Sequence, residues 1–134
     1  MGTPLITGLV AMIRVTEIER SASFYRLLGF EIGSRVPRTG RPMQWAWLYV
    51  PGVPDWRRGP NLMLTRAEHD MQAPEEVLLY LYAADLPGLR SSLLARDVSV
   101  SEITYPDYLP DGECCVQDPD GYTLMIAQSA ADTP

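Results

Sequence analysis

Alternate aromatic residues are the features of this chain best suited to chemistry. Trp45, Trp47 and Tyr49 recur at every second position of MQWAWLYV, and Tyr80 and Tyr82 do so in VLLYLYA. Successive side chains of a strand point to opposite faces, so each set shares one face. Aromatic faces hold planar or cationic molecules by stacking and cation–π contact, at about 0.5–2 kcal/mol each. The same stripe also suits a protein core or a subunit interface. Nucleophilic devices are poorly supplied. His69 is the sole histidine and sits in the polar run Ala67-Glu68-His69-Asp70, with no sign of the positioning that a Ser-His-Asp or Cys-His device needs. Cys114 and Cys115 are adjacent, so they should face opposite ways and not bridge each other. No cysteine pair stands at metal-site spacing. Glu113 and Tyr80 are candidates for acid–base work, although nothing in the sequence pairs them.

The bulk properties narrow the setting. A chain of 134 residues suits one compact domain, and 46% apolar with 21% charged residues excludes a disordered one. The net charge is −6, and all the positive charge is arginine. An acidic domain without a basic cluster is a poor nucleic-acid binder and would tolerate or attract a cationic small molecule. No apolar run approaches a membrane span, and no basic region followed by an apolar core opens the chain, so a cytoplasmic protein is expected.

Strands are expected at Leu9–Val15, Phe30–Val36, Met43–Val50 and Asn61–Arg66, with a short helix over residues 20–28 whose apolar positions are Phe24, Leu27 and Leu28. Gly29 follows it as a stop signal. Loops cover residues 37–42 and 51–60, the latter holding Trp56. A polar linker spans residues 67–75. The order then recurs, with a strand Val77–Ala83, a helix Leu86–Arg96 and a strand Val98–Thr104. A loop carries Tyr105 and Tyr108. The strands Glu113–Gln117 and Thr123–Ala127 flank Asp118-Pro119-Asp120-Gly121, a tight turn in which the aspartates can bond the following backbone and Gly121 supplies positive φ.

A shift of 68 residues lays Val15 on Ala83, Glu17 on Asp85, Ile18 on Leu86 and Phe30 on Val98. Leu62-Met63-Leu64 likewise resembles Leu124-Met125-Ile126. The chain therefore reads as β-α-β-β-β twice, an α+β fold of two tandem modules, residues 8–66 and 76–128, in a single domain 8–128 with a C-terminal tail 129–134.

Val15 with the acid Glu17, Ser21, Phe24-Tyr25, Leu27-Leu28-Gly29-Phe30 and the DPDG at 118–121 resemble the vicinal oxygen chelate superfamily, which includes glyoxalase I, bleomycin-resistance proteins and extradiol dioxygenases. The resemblance implies a cupped mixed sheet, helices on its outer face, a pocket within, and a homodimer. In the enzymes of this group a divalent metal is held by His, Glu or Gln at four strand positions. Carried over one by one, these are Val10, Met63, Leu78 and Met125. None offers an oxygen or imidazole, and a thioether is a poor ligand for Mg²⁺, Mn²⁺, Ni²⁺ or Zn²⁺. No metal and no other cofactor are therefore expected.

Those four positions set which strand face looks into the cup. Met12, Arg14, Trp45, Trp47, Tyr49, Met63, Leu78, Tyr80, Tyr82 and Met125 are the expected ligand-binding residues, and Ala46, Leu48, Leu79 and Leu81 turn toward the helices. Apolar walls with a few polar anchors describe a small-molecule pocket. These features point to a metal-independent protein that sequesters an aromatic or cationic compound such as an antibiotic, with a small-molecule ligand and a second copy as partners and neither nucleic acid nor membrane. The alternatives are a lyase, isomerase or dioxygenase of the same superfamily with an atypical site, and an accessory module that contributes dimer contacts alone.

Overall fold

The computed structural model describes residues 5–53, 58–69, 71–74 and 76–129, so Trp56 lies outside the described residues. The chain divides into two compact units, Met1–Met71 and Gln72–Pro134, with the division inside the polar segment 67–75.

The first unit contains β1 (Met12–Val15), α1 (Ile18–Arg26), β2 (Glu31–Val36), β3 (Trp45–Tyr49) and β4 (Asn61–Arg66). Its sheet runs β1-β4-β3-β2, with β1 and β4 parallel and the other pairs antiparallel. Period-two burial decides which face meets α1. Ile13, Val15, Ala46, Leu48, Leu62 and Leu64 are buried, while their strand neighbours stay half-buried or exposed. The helix buries Ile18, Ala22, Phe24 and Tyr25, and the Tyr25 ring meets Phe24 and Phe30 edge-on at 5.2 and 5.9 Å. Glu19 reaches from the first turn of α1 to accept the Met43 amide at 2.8 Å, which fixes the chain just before β3.

The second unit contains β5 (Leu78–Ala83), α2 (Leu86–Ala95), β6 (Glu113–Gln117) and β7 (Thr123–Gln128), in sheet order β5-β7-β6. β5 and β7 are parallel, and β6 and β7 form the antiparallel hairpin. Leu86, Leu93, Cys114, Val116, Leu124 and Ile126 make its core. In the turn, Asp118 Oδ1 accepts the amides of Asp120 and Tyr122, both at 2.9 Å, and Gly121 has φ +94°. Among the described residues no helix is long and apolar enough to cross a membrane.

The repeat is visible at residue level. Val15 and Ala83 close the strands, and Ile18 and Leu86 open the helices, each pair 68 positions apart. Both helices end alike: Phe30 N donates to Tyr25 O and Val98 N to Leu93 O, across Gly29 at φ +98° and Asp97 at φ +63°.

Three expectations need correction. The strand drawn over Leu9–Val15 starts at Met12, and the helix drawn over 20–28 runs Ile18–Arg26, so Leu27 and Leu28 fall in the turn that ends it. The strand drawn over Val98–Thr104 is reduced to two isolated bridges, Val100 with Val116 and Thr104 with Glu113. There the Ser101 hydroxyl accepts the Cys115 amide at 2.8 Å, so a side chain occupies a place a backbone carbonyl holds in a regular ladder.

Candidate functional site

The face of the first sheet turned away from α1 is built in rows. Trp45 pairs across β4 with Thr65, and Arg14 lies beyond it on β1. Trp47 pairs with Met63, with Met12 beyond, and Tyr49 pairs with Asn61. The rings of Trp47 and Tyr49 stack at 5.1 Å between centroids and 11° between planes. Asn61 and Gly33 help to hold this pair. The indole N–H donates to Asn61 Oδ1 at 3.3 Å, and Asn61 Nδ2 donates in turn to Gly59 O at 3.2 Å. Both rings also lie against Gly33, where a β-carbon would come within 2.6 Å of Trp47 Cζ3 and 3.2 Å of Tyr49 Cδ1. The β2–β3 register slips between Ile32 and Arg35, so this glycine sits at an irregularity that admits the rings. Beside them opens a depression of about 320 Å³ lined by Val10, Ser34, Trp45, Trp47 and Met63. Aromatic and thioether walls with a hydroxyl at the edge suit a planar, largely apolar ligand.

The second sheet repeats the arrangement with a carboxylate added. Leu78 pairs with Thr123, Tyr80 with Met125 and Tyr82 with Ala127, while β6 continues these rows with Gln117, Cys115 and Glu113. The Tyr80 and Tyr82 rings lie 5.6 Å apart, tilted by 42°. Glu113 is 6% exposed. Its Oε2 accepts the Tyr80 hydroxyl at 2.8 Å, and its Oε1 accepts the Tyr108 hydroxyl at 2.9 Å. Burial and then the Glu113 carboxylate push the Tyr80 phenol up to about 12. The hydrogen bond to Glu113 raises Tyr108 as well. Both groups stay protonated donors at neutral pH. Cys114 lies on the opposite, buried face, where desolvation raises its thiol, and Cys115 is half-buried; both are free.

The family description that matches is the glyoxalase/bleomycin resistance protein/dioxygenase superfamily, over residues 9–126. The chain belongs to this superfamily. Solved structures agree on the fold. An integron cassette protein from the mobile metagenome of the Halifax Harbour sewage outfall is 24% identical, with 92% of this chain and 100% of that one covered, at a TM-score of 0.69. TnmS3, an antibiotic-binding protein from Streptomyces sp. CB03234, is 19% identical over 96% and 100% of the two chains, at 0.65. A bleomycin-binding protein complexed with bleomycin is 17% identical over 93% and 100%, at 0.64. No curated protein matches the chain.

Within this superfamily the four positions expected to hold a metal can be checked against their donors. Val10 and Met63 line the depression of the first unit, and Leu78 and Met125 stand on the tyrosine face of the second. Two aliphatic groups and two thioethers do not fit a hard divalent cation. Among the described residues no group of three or more His, Cys, Asp or Glu is placed to share an ion. His69 is exposed.

The expected site residues thus fall on two faces. Met12, Arg14, Trp45, Trp47, Tyr49 and Met63 share one, and Leu78, Tyr80, Tyr82 and Met125 share the other. Ser34, Gly33 and Asn61 were missed: the first lines the depression and the other two hold its rings. Glycine in an otherwise strand-like run was the available signal for Gly33. Glu113 and Tyr80, which the sequence left unpaired, are hydrogen-bonded to each other.

Proposed function

We propose that this chain is a metal-independent small-molecule binding protein that sequesters a planar aromatic or cationic compound, an antibiotic among the candidates. The observation that carries this is the Trp47–Tyr49 pair, stacked at 5.1 Å and held by Asn61 and Gly33 beside an apolar depression. Rings fixed before a ligand arrives lose little freedom on binding, which favours affinity. Two proteins of similar fold are an antibiotic-binding and a bleomycin-binding protein. The donor-poor positions Val10, Met63, Leu78 and Met125 support metal independence. Two free thiols suit a reducing, cytoplasmic compartment, and a homodimer belongs to the same proposal. A thermal-shift screen against planar aromatic antibiotics, run in a chelator, tests it. A rise in melting temperature with at least one compound, unchanged by the chelator, is expected; no shift with any of them, or shifts seen solely after metal is added, would contradict it.

The alternative of a lyase, isomerase or dioxygenase would draw its acid–base groups from Glu113 and Tyr80. A phenol raised to about 12 remains a donor to the carboxylate at neutral pH, which favours holding over proton relay.

A further inference from the structure

A nearly buried carboxylate on an aromatic face needs a reason. Burying a charge is costly unless it is paired or well hydrogen-bonded. Among the described residues the hydrogen bonds to the Glu113 carboxylate come from two neutral phenols, one on each oxygen, and a carboxylate has about four acceptor sites in all. The phenols lower the desolvation cost and leave the formal charge in place. Around it stand aromatic faces: the Tyr80 ring lies 5.6 Å from that of Tyr82, and Tyr82 shares a ladder row with Glu113 across the small Ala127. A carboxylate beside tyrosine rings attracts a cation by charge and by the ring quadrupoles together.

The two phenols differ in how they are held. Tyr80 is on β5, fixed by the ladder to β7. Tyr108 is 74% exposed on the loop between Thr104 and Glu113. The base of that loop is pinned, since Thr104 and Glu113 exchange backbone hydrogen bonds at 2.9 Å and Gln128 N donates to Gly112 O at 3.0 Å. Its outer turns close on themselves, Leu109 N to Pro106 O and Gly112 N to Leu109 O. The Tyr108 hydroxyl is therefore the partner of Glu113 that can leave without disturbing the sheet.

We propose that Glu113 is a cation-recognition site, in which an amino or ammonium group of the ligand takes the place of the Tyr108 hydroxyl on Oε1 while Tyr80 keeps Oε2 and the Tyr80 and Tyr82 rings flank the charge. This rests on the reading of the chain as a small-molecule binder and names, within the second unit, a group that selects for positive charge. The net charge of −6 favours the same class of ligand over long range.

The test compares 9-aminoacridine, a cation at neutral pH, with acridine, a neutral ring system of the same outline, by ligand fluorescence at low salt. Wild-type protein should bind the cation at least about tenfold more tightly. Glu113→Gln should weaken 9-aminoacridine to about the affinity of acridine and leave acridine unchanged. Tyr108→Phe, at an exposed position, should fold normally and bind the cation as tightly as wild type or a few-fold better, because no hydroxyl has to be displaced. Equal affinity of wild type for both probes, equal loss of both in Glu113→Gln, or a selective loss of the cation in Tyr108→Phe would overturn the assignment while leaving the binding function standing. Failure of both probes to bind wild type at millimolar concentration would overturn the cation site, and the antibiotic screen would decide the binding function separately.

Discussion

The six-membered edge of the Trp47 indole occupies the space that a side chain on Gly33 would need, so a residue with no side chain on β2 positions an indole on β3. The two residues are 14 apart in sequence and meet where the β2–β3 register slips. The geometry of this aromatic face depends on that contact as much as on the rings that form it.

Gly33→Ala is accordingly expected to push the Trp47 and Tyr49 rings out of their stack. Overpacking of this kind costs about 1–3 kcal/mol. Urea denaturation should show that loss, and a ligand that quenches tryptophan emission in the wild type should bind the variant more weakly. A variant with wild-type affinity would show that the seat beneath Trp47 is unimportant.

Asp97 holds the left-handed position at the end of α2 that Gly29 holds at the end of α1. A residue with a β-carbon is strained there, and glycine is not. Asp97→Gly should raise stability by roughly 0.5–1 kcal/mol, read as a higher urea midpoint at unchanged slope. No gain, or a loss, would mean that the aspartate side chain stabilises the helix end by more than the strain it carries.

Burial works to raise the Glu19 carboxyl, but the Met43 amide, its own amide and the charges of Arg41 and Arg35 outweigh it and leave the group below its ordinary value. A folded-state value below the unfolded one stabilises at pH above the ordinary carboxylate range, and that stabilisation is lost as pH falls through the lowered value. Wild type should exceed Glu19→Gln in stability at neutral pH, and the gap should close on acidification. A gap that is constant with pH would exclude a charge effect at this contact.

Tyr80 titrates in the opposite direction. Its phenol is raised from 10.0 to about 12 by burial and Glu113, so its contribution is complete below the ordinary tyrosine value and disappears as pH climbs toward 12. Melting temperatures of wild type and Tyr80→Phe should differ at neutral pH and converge between about 10 and 12. Equal melting temperatures at neutral pH would show that the bond to Glu113 adds nothing to stability.

The repeat was legible because it is written in local signals. The acid before each helix, the apolar residue that opens it and the strand that precedes it recur 68 positions apart, and the helices and strands follow them, although Asp85 caps α2 by accepting the Gly88 amide at 3.1 Å while the Glu17 side chain makes no such cap on α1. The aromatic alternation at 45, 47 and 49 set the strand face correctly, since neighbouring Ala46 and Leu48 are the buried residues. What failed was non-local or depended on a side chain standing in for backbone. The run 98–104 has strand-like alternation, but the Ser101 hydroxyl takes the Cys115 amide. The link from Tyr80 to Glu113 spans 33 positions and runs diagonally across β7, and that from Tyr108 reaches back from a loop. No periodicity encodes either. Gly33 could be noted as a glycine in a strand, but the ring it accommodates belongs to a different strand.

The most direct test of the central claim is a tryptophan-fluorescence titration of wild type and Trp47→Leu with planar aromatic antibiotics, in a chelator to remove metal. At least one compound should quench wild-type emission with a micromolar midpoint, and Trp47→Leu should weaken that compound by about tenfold or more. Quenching by none of them, or equal affinity in the two proteins, would contradict the assignment of the Trp47–Tyr49 face as the ligand site.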